Sequence, residues 1–169
     1  MTNPPLFAVG DVQGCLQSLD ELLGLLPDNA ELLFLGDLVN RGPESLGVLR
    51  RIRSLGSRAR FLLGNHDLHL LAIAAGFAST HKKDTLDDVL GAPDRDELID
   101  WLRHGRLLIE DRGVVFVHAG LNPAWSVEDA RALALEMEEG LHGDDWREMF
   151  RDMYGNTQWS TGLTGAERR

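Results

Sequence analysis

Four short apolar runs recur along the chain, and each is followed within two residues by a polar side chain. The runs are Leu6–Val9, Leu32–Leu35, Phe61–Leu63 and Val114–Val117. Continuously apolar runs of this length are typical of strands that are buried on both faces. The sequence therefore predicts four buried strands, with segments of helical period between the first three.

Three helices are expected between and after these strands. The first should end near Pro27, the second should begin at Pro43, because proline is favourable in a first turn, and the third should follow His66. Strands that alternate with helices predict an α/β fold with a largely parallel sheet. Such sheets bind ligands beyond the carboxyl ends of their strands, which is where all four polar side chains fall. The inward residues are expected to be Leu16, Leu19, Leu22, Leu23, Leu26, Leu46, Leu49, Ile52, Leu68, Leu70, Leu71 and Ile73.

The second half of the chain has a looser pattern. Residues 78–112 are interpreted as a helical cap over the ligand site. Ser126 and Asp129 form a possible capping box before a helix over residues 130–137. A last helix is expected to turn its apolar face inward through Trp146, Met149, Phe150 and Met153.

Composition indicates a globular protein and restricts its partners. The chain has 169 residues, 43% of them hydrophobic, and a net charge of -10. This acidity argues against a nonspecific grip on nucleic acid, which needs clustered lysine and arginine. A polyanionic substrate would need local cations, which bound divalent metals would supply. The sequence contains no apolar stretch long enough to span a bilayer, and the single cysteine, Cys15, is expected to be a small buried residue. We therefore expect a cytoplasmic protein.

The polar side chains at the strand ends carry the candidate chemistry. Carboxylates, an amide and imidazoles that converge on one rim can hold two divalent cations. Asp37 is the natural bridging ligand, His66 is placed to protonate a leaving oxygen, and Arg41 is placed to clamp phosphate. Each residue also has a structural interpretation: Gly-Asp is a common turn, Asn65 can cap a helix and His118 can be a core residue. Their joint occurrence at four strand ends favours the metal site.

These residues lie in motifs that resemble a known family. The segments 10–14 (Gly-Asp-Val-Gln-Gly), 36–42 (Gly-Asp-Leu-Val-Asn-Arg-Gly), 64–67 (Gly-Asn-His-Asp) and 117–120 (Val-His-Ala-Gly) are similar to the ordered motifs of calcineurin-like metallophosphoesterases. The phosphoprotein-phosphatase-like branch is the nearest. Further matches over residues 64–72, at Trp101-Leu102-Arg103 and at Met153-Tyr154-Gly155 resemble the bacterial symmetrical diadenosine tetraphosphatases.

The resemblance covers nearly the whole chain and implies a fold and a ligand set. Residues 1–169 would form one metallophosphoesterase domain, a sandwich of largely parallel strands with outer helices. Two divalent ions, Mn²⁺ in preference to Co²⁺ or Mg²⁺, would act at the site. The first metal would be held by Asp11, Gln13 and Asp37, and the second by Asp37, Asn65 and His118. His66 would be the general acid, and Arg41 would bind phosphate.

The implied substrate is diadenosine tetraphosphate, a dinucleoside polyphosphate split symmetrically into two ADP. A phosphatase acting on proteins or other phosphoesters is the nearest alternative, and a noncatalytic nucleotide-binding fragment is an alternative of another class. Activity on capped RNA and the oligomeric state stay open. His69 and Lys83 are further candidates for contacting the substrate, although core packing and a solvated charge, respectively, are their structural alternatives. Trp101, Trp125, Trp146 and Trp159 are either core residues or platforms for adenine.

Three departures from the family pattern affect these expectations. Gln13 stands where an imidazole usually binds metal, and Asn40 stands where protein phosphatases have an aspartate that supports the catalytic histidine. His66 is therefore expected to find another partner or none. Family members also continue further and supply a late histidine, whereas this sequence has none after His142. We expect the chain to lack C-terminal strands, to be a weak catalyst by itself and to expose apolar surface.

Overall fold

A computed structural model describes residues 3–151 of the chain. The expectations for Met153, Tyr154, Gly155 and Trp159 fall outside these residues. The strands are β1 (Leu6–Val9), β2 (Glu31–Phe34), β3 (Ala59–Phe61), β4 (Leu108–Asp111) and β5 (Val114–Val117). The α-helices are α1 (Leu16–Leu25), α2 (Ser45–Ser54), α3 (Asn65–Ala75), α4 (Asp87–Leu90), α5 (Arg95–Arg103) and α6 (Val127–His142). Short 3₁₀ helices span Gly56–Arg58 and Trp146–Phe150.

The first three strands form a parallel sheet in the order β1-β2-β3, as the alternation of strands and helices predicts. Phe7 pairs with Leu32, and Phe34 pairs with Phe61, so the carboxyl ends of the three strands lie side by side. Leu32, Leu33 and Phe34 of the central strand are fully buried. Burial on both faces was wrongly expected for β1, because Ala8 is exposed at the outer strand of this sheet.

The fourth apolar run does not pair within the parallel sheet in residues 3–151. It forms β5, which pairs antiparallel with β4 across a tight turn. Arg112 and Gly113 at this turn both have positive φ, 51° and 77°, as two-residue hairpin turns require. An isolated parallel bridge between Leu62 and Arg106 connects the end of β3 to the segment before β4.

The expected helical cap over residues 78–112 is only partly helical. It contains α4 and α5, but its end forms β4, which the sequence interpretation missed. Its apolar residues also belong to the main core instead of forming a separate layer. Leu86, Val89, Leu98 and Leu102 are buried in the same cluster as Phe34 of the central strand.

Most helix boundaries agree with the apolar spacing. Helix α2 begins at Ser45 and not at Pro43, because Ser45 is buried and its hydroxyl binds the backbone of Asn40 and Thr85. The capping box at Ser126 and Asp129 is confirmed, although α6 runs on to His142. Trp146, Met149 and Phe150 are buried, as predicted, on the last 3₁₀ helix.

Cys15 is exposed, contrary to expectation. It occupies the N-cap position of α1, where the backbone leaves the site loop and the side chain faces outward. No helix within residues 3–151 combines the length and the apolar character needed to cross a membrane.

Candidate metal centre

Asp37 lies at the middle of the rim formed by the strand ends. Its side chain is buried, with 3% of the residue exposed, and its Oδ1 accepts a hydrogen bond of 2.9 Å from the His66 backbone N–H. The preceding Gly36 has a φ of 96°, and a Cβ there would lie 2.7 Å from both the Gly64 nitrogen and His118 Nδ1. Glycine at this position therefore lets three loops approach one another closely.

The loops after β1 and β2 hold unusual backbone conformations. Gln13, Asp37, Asn40 and Arg41 all have positive φ, between 45° and 75°. Such conformations are costly for these residues and persist where the surroundings enforce them, which often happens at functional sites. Here the two loops bind each other through five backbone hydrogen bonds, including those from Gly14 to the Leu38 carbonyl and from Glu44 to the Gly14 carbonyl. Val12 and Gln13 donate to the Asp37 carbonyl, and Gly42 donates to the Gln13 carbonyl.

His118 is oriented so that one ring nitrogen faces Asp37 and Asn65. Its Nδ1 lies 2.8 Å from the Leu35 carbonyl oxygen, which can only accept, so Nδ1 carries the proton. The neutral ring then presents the lone pair of Nε2, which lies 3.5 Å from Asp37 Oδ1 and 3.3 Å from Asn65 Oδ1. On the neutral ring, three atoms that carry lone pairs therefore face one another, as the ligands of one cation do.

The spacing of these three donors fits a divalent ion. Metal–ligand distances of about 2.0–2.2 Å place neighbouring ligands of one ion about 3.0–3.5 Å apart. A hydrogen bond from the second ring nitrogen to a backbone carbonyl is also the usual support for a metal-binding histidine. Within residues 3–151, no place gathers three or more His, Cys, Asp or Glu side chains around a possible ion, and the present set contains only two residues of these types, Asp37 and His118. The amide of Asn65 therefore completes the candidate set.

The structure does not gather the other expected ligands in the same way. Asp11 is exposed directly after β1, and Gln13 is half-buried in the following turn. Their backbones adjoin Asp37 through the loop hydrogen bonds. Within residues 3–151, however, no hydrogen bond or ion pair joins either side chain to Asp37. The first metal site therefore stays a prediction.

His66 has a partner, and that partner is Asn40. The amide Nδ2 of Asn40 lies 3.1 Å from His66 Nδ1. The expectation that His66 needs a partner other than residue 40, or has none, is therefore wrong. An amide N–H can replace the carboxylate of the protein phosphatases as a neighbour of the ring, although with the opposite hydrogen-bond polarity. His66 Nε2 lies 4.0 Å from Asp37 Oδ2, at the edge of the donor set.

The three remaining candidates differ in their surroundings. Arg41 is exposed at the rim with its backbone N–H bound to Asn40 Oδ1, which leaves its guanidinium accessible to a phosphate. Lys83 is exposed in the turn just before Asp84, where both of its alternatives stay open. His69 is 8% exposed, hydrogen-bonds Asp84 at 3.0 Å and stacks on His81, which favours the packing alternative.

Two buried carboxylates at the site had no role assigned from the sequence. The local sequence around Asp84 contains no motif that indicates a role, because its partners Asn40 and His69 come from other segments of the chain. Asp67 stands three residues after Gly64, which is the spacing of a helix-capping acid. It accepts hydrogen bonds of 2.9 Å from the backbone N–H groups of Gly64 and Leu38, which join the ends of β3 and β2. Burial and the nearby charge of Asp37 raise the pKa of Asp67 to about 7, although its hydrogen bonds with the backbone oppose this shift.

Replacing Asp67 by asparagine is expected to destabilise the fold. The amide keeps one acceptor and turns its NH₂ group toward a buried backbone N–H, which should cost about 1–3 kcal/mol in the free energy of unfolding. Urea denaturation followed by circular dichroism measures this loss. Asp28→Asn, at an exposed turn, serves as the control and should change stability by less than about 0.5 kcal/mol. Equal stability of the two variants would contradict the bridging role.

The comparison with protein families decides the relationship. The model of the calcineurin-like phosphoesterases matches residues 4–164. The chain belongs to this family. Membership confirms the α/β fold expected from the motifs and implies a site for divalent metal ions. The candidate donors Asp37, Asn65 and His118 follow the ends of β2, β3 and β5.

Curated relatives in the calcineurin-like phosphoesterase family are similar over most of this chain. A symmetrical bis(5'-nucleosyl)-tetraphosphatase of Ralstonia nicotianae is 52% identical over 97% of the chain, and one of a Janthinobacterium species is 50% identical over 96%. These alignments cover 59% and 61% of the two relatives. The chain therefore spans about three fifths of the length of the curated relatives that it matches.

Solved structures support the same fold. A structure proposed to be a diadenosine tetraphosphatase matches with a TM-score of 0.57 and 29% identity, covering 75% of this chain and 55% of that one. A cold-active protein tyrosine phosphatase variant matches with a TM-score of 0.54, covering 99% of this chain and 62% of that one. The identity to the latter is 22%, so it speaks for the fold alone.

Proposed function

We propose that this chain carries the catalytic rim of an enzyme that hydrolyses diadenosine tetraphosphate symmetrically into two ADP. The observation that carries the proposal is the convergence of Asp37, Asn65 and His118 beside the ring of His66. The names of the curated relatives supply the substrate class, since the geometry itself is common to many phosphohydrolases.

Each residue has a stated task in this reaction. Asp37, Asn65 and His118 would hold a divalent ion, and Asp11 and Gln13 would complete a second position with Asp37. Bound divalent ions neutralise phosphate charge and make water acidic enough to attack near neutral pH. We favour Mn²⁺, because the oxygen of Gln13 is a harder donor than an imidazole nitrogen.

The remaining chemistry concerns the anhydride bond between the second and third phosphates. A water oxygen bonds to one of these phosphorus atoms while the bridging oxygen leaves with the other half of the molecule. The Nε2–H of His66 would donate a proton to that leaving oxygen, and the guanidinium of Arg41 would bind two phosphate oxygens. The products are two ADP molecules.

A groove beside the donor set offers space for a nucleoside. It has a volume of about 340 Å³, and Asn65 and His118 form part of its wall. The rest of the wall is largely apolar and includes Leu68, Trp125 and Met137. An apolar groove with an aromatic residue that opens directly at the phosphate-binding atoms is suited to a base attached to that phosphate chain.

Product analysis tests the proposal. The 169-residue chain is incubated with Mn²⁺ and diadenosine tetraphosphate, and the nucleotides are separated by anion-exchange chromatography. We expect ADP to be the only nucleotide product. ATP and AMP in equal amounts would show asymmetric cleavage and contradict the proposal. Parallel incubations with a phosphopeptide and a capped RNA test the alternative substrates, and preferential release of phosphate from the peptide would favour a protein phosphatase.

The cytoplasmic location expected from the sequence belongs to the same proposal.

A further inference from the structure

Asn40 is fully buried beside His66 and uses every hydrogen-bonding position of its side chain. Its Oδ1 accepts from the backbone N–H groups of Arg41, at 2.8 Å, and Thr85, at 3.0 Å. Its Nδ2 lies 3.0 Å from Asp84 Oδ1 and 3.1 Å from His66 Nδ1. An amide has two acceptor lone pairs and two N–H donors, so all four positions are filled.

These neighbours determine which end of the amide faces His66. If the amide were rotated by half a turn, its NH₂ group would face the N–H groups of Arg41 and Thr85, and its oxygen would face the Asp84 carboxylate. All three contacts would then be repulsive inside the protein, where an unsatisfied polar group costs about 1–3 kcal/mol. The observed orientation is therefore fixed, and it turns an N–H donor toward His66.

A donor at this position decides where the imidazole carries its proton. Because Asn40 donates to Nδ1, Nδ1 must accept, and the neutral ring of His66 carries its proton on Nε2. Nε2 is the nitrogen nearer to Asp37, at 4.0 Å from its carboxylate. The opposite tautomer would turn a lone pair toward this place and would repel a phosphate oxygen bound there.

Asp84 is held as firmly as the amide. Its side chain is only 5% exposed, and its Oδ2 accepts hydrogen bonds from the His81 backbone N–H, at 2.7 Å, and from His69 Nε2, at 3.0 Å. Burial raises the pKa of Asp84, but the hydrogen bonds from His81, Asn40 and His69 outweigh it and lower the pKa to about 2. The group facing Asn40 is therefore a carboxylate at neutral pH.

We propose that Asp84 is a positioning residue that acts through Asn40 to hold His66 in its Nε2–H tautomer. A carboxylate at position 40 would lie within hydrogen-bonding distance of the Asp84 carboxylate and would be disfavoured there, whereas an amide binds it. Asp84 thus accounts for an amide in place of the aspartate that supports histidine in the protein phosphatases. It also gives His69 a function as a support for Asp84.

Nitrogen-15 NMR of the histidine rings tests the tautomer directly. The 169-residue chain is measured with diamagnetic Mg²⁺ at rising pH until the ring signals no longer change, and the His66 signals are assigned by their loss in His66→Gln. We expect a protonated Nε2 and an unprotonated Nδ1. In Asn40→Asp, the proton should move to Nδ1. A protonated Nδ1 in the unaltered chain would overturn the proposal, whatever reaction the protein catalyses.

A charge swap separates positioning from folding. Asn40→Asp alone places two carboxylates together and should lower the melting temperature. Adding Asp84→Asn returns an N–H donor between the two positions, so the melting temperature should recover. The His66 proton should nevertheless stay on Nδ1, because position 40 still accepts.

Kinetics complete the test and rest on the proposed function. Both Asn40→Asp and the swapped double variant should lose about 10–100-fold in kcat for diadenosine tetraphosphate, as residues that orient a functional group commonly do, with a smaller change in KM. Asp87→Asn, exposed on the neighbouring helix α4, is the control and should keep both constants. Recovery of kcat in the double variant while the proton sits on Nδ1 would contradict the positioning role. If no variant or parent hydrolyses this substrate, the proposed function fails, and the NMR result still decides the tautomer.

Discussion

Asp37→Asn should reduce hydrolysis of diadenosine tetraphosphate by more than about 100-fold while leaving the fold intact. Replacing a residue that merely supports a metal ligand already lowers metal affinity or activity by about 10–100-fold. Asp37 is expected to bind both ions itself, so its loss should have a larger effect. Asparagine keeps the shape of the side chain and one oxygen, which can still accept from the His66 backbone N–H. The charge that offsets two cations is lost, however. Mn²⁺ binding by isothermal titration calorimetry should weaken in parallel with ADP release.

Two control measurements test whether the effect of Asp37→Asn comes from the loss of metal binding. Circular dichroism should show unchanged secondary structure in Asp37→Asn, since a loss of fold would explain inactivity trivially. Asp96→Asn makes the same charge change at a side chain that is 98% exposed on α5, and it should leave Mn²⁺ affinity and turnover as they were. If Asp37→Asn also keeps both within a fewfold, the assignment of the metal centre is wrong.

Gly64→Ala should disrupt the site and lower the stability of the whole chain. A methyl group on Gly64 would overlap the carboxylate and the backbone nitrogen of Asp37, neither of which can move freely. Forcing atoms into a packed interior costs about 1–3 kcal/mol, and here the overlap involves backbone, so the upper end or more is expected. Thermal unfolding followed by circular dichroism measures the effect, and Mn²⁺ titration reports the damage to the donor set.

Gly24→Ala provides a matched control for the same chemical change. Gly24 lies within α1, and a Cβ there would meet nothing within 4 Å. Because alanine favours helices more than glycine does, this variant should be stabilised by up to about 1 kcal/mol. The two substitutions should thus move the melting temperature in opposite directions. If Gly64→Ala has the same melting temperature and the same Mn²⁺ affinity as the parent, the loops after β2 and β3 are not packed as closely as the contact between Gly64 and Asp37 indicates.

The strand ends were predictable because they depend on local patterns. Apolar runs of strand length indicated β1, β2 and β5, and the polar residue after each run marked the rim. Helical spacing of leucines gave α1 and its end near Pro27. Asp37 and Asn65 could be grouped from the sequence because the parallel strands β2 and β3 bring their carboxyl ends together. His118 was grouped with them correctly but for a wrong reason, because β5 lies outside the parallel sheet.

The remaining features depend on contacts between distant segments. Asn40 and Asp84 lie 44 positions apart, and nothing in either local sequence signals that one amide would join a histidine to a carboxylate. Pairing of β5 with β4 likewise depends on the turn at Arg112 and Gly113, since an apolar run alone does not specify its neighbour. Cys15 was expected to be buried because cysteine usually is. It is exposed because it occupies the N-cap position of α1.

The peptide run from Leu35 to Leu38 is hydrogen-bonded to three separate loops. His118 binds the Leu35 carbonyl, Val12 and Gln13 bind the Asp37 carbonyl, and Asp67 binds the Leu38 N–H. No loop can therefore open without breaking a contact to this shared run. We therefore expect the ligand-bearing loops to unfold locally as one unit, unlike loops that fray independently. Hydrogen exchange of their backbone N–H groups should accordingly show similar protection in all of them.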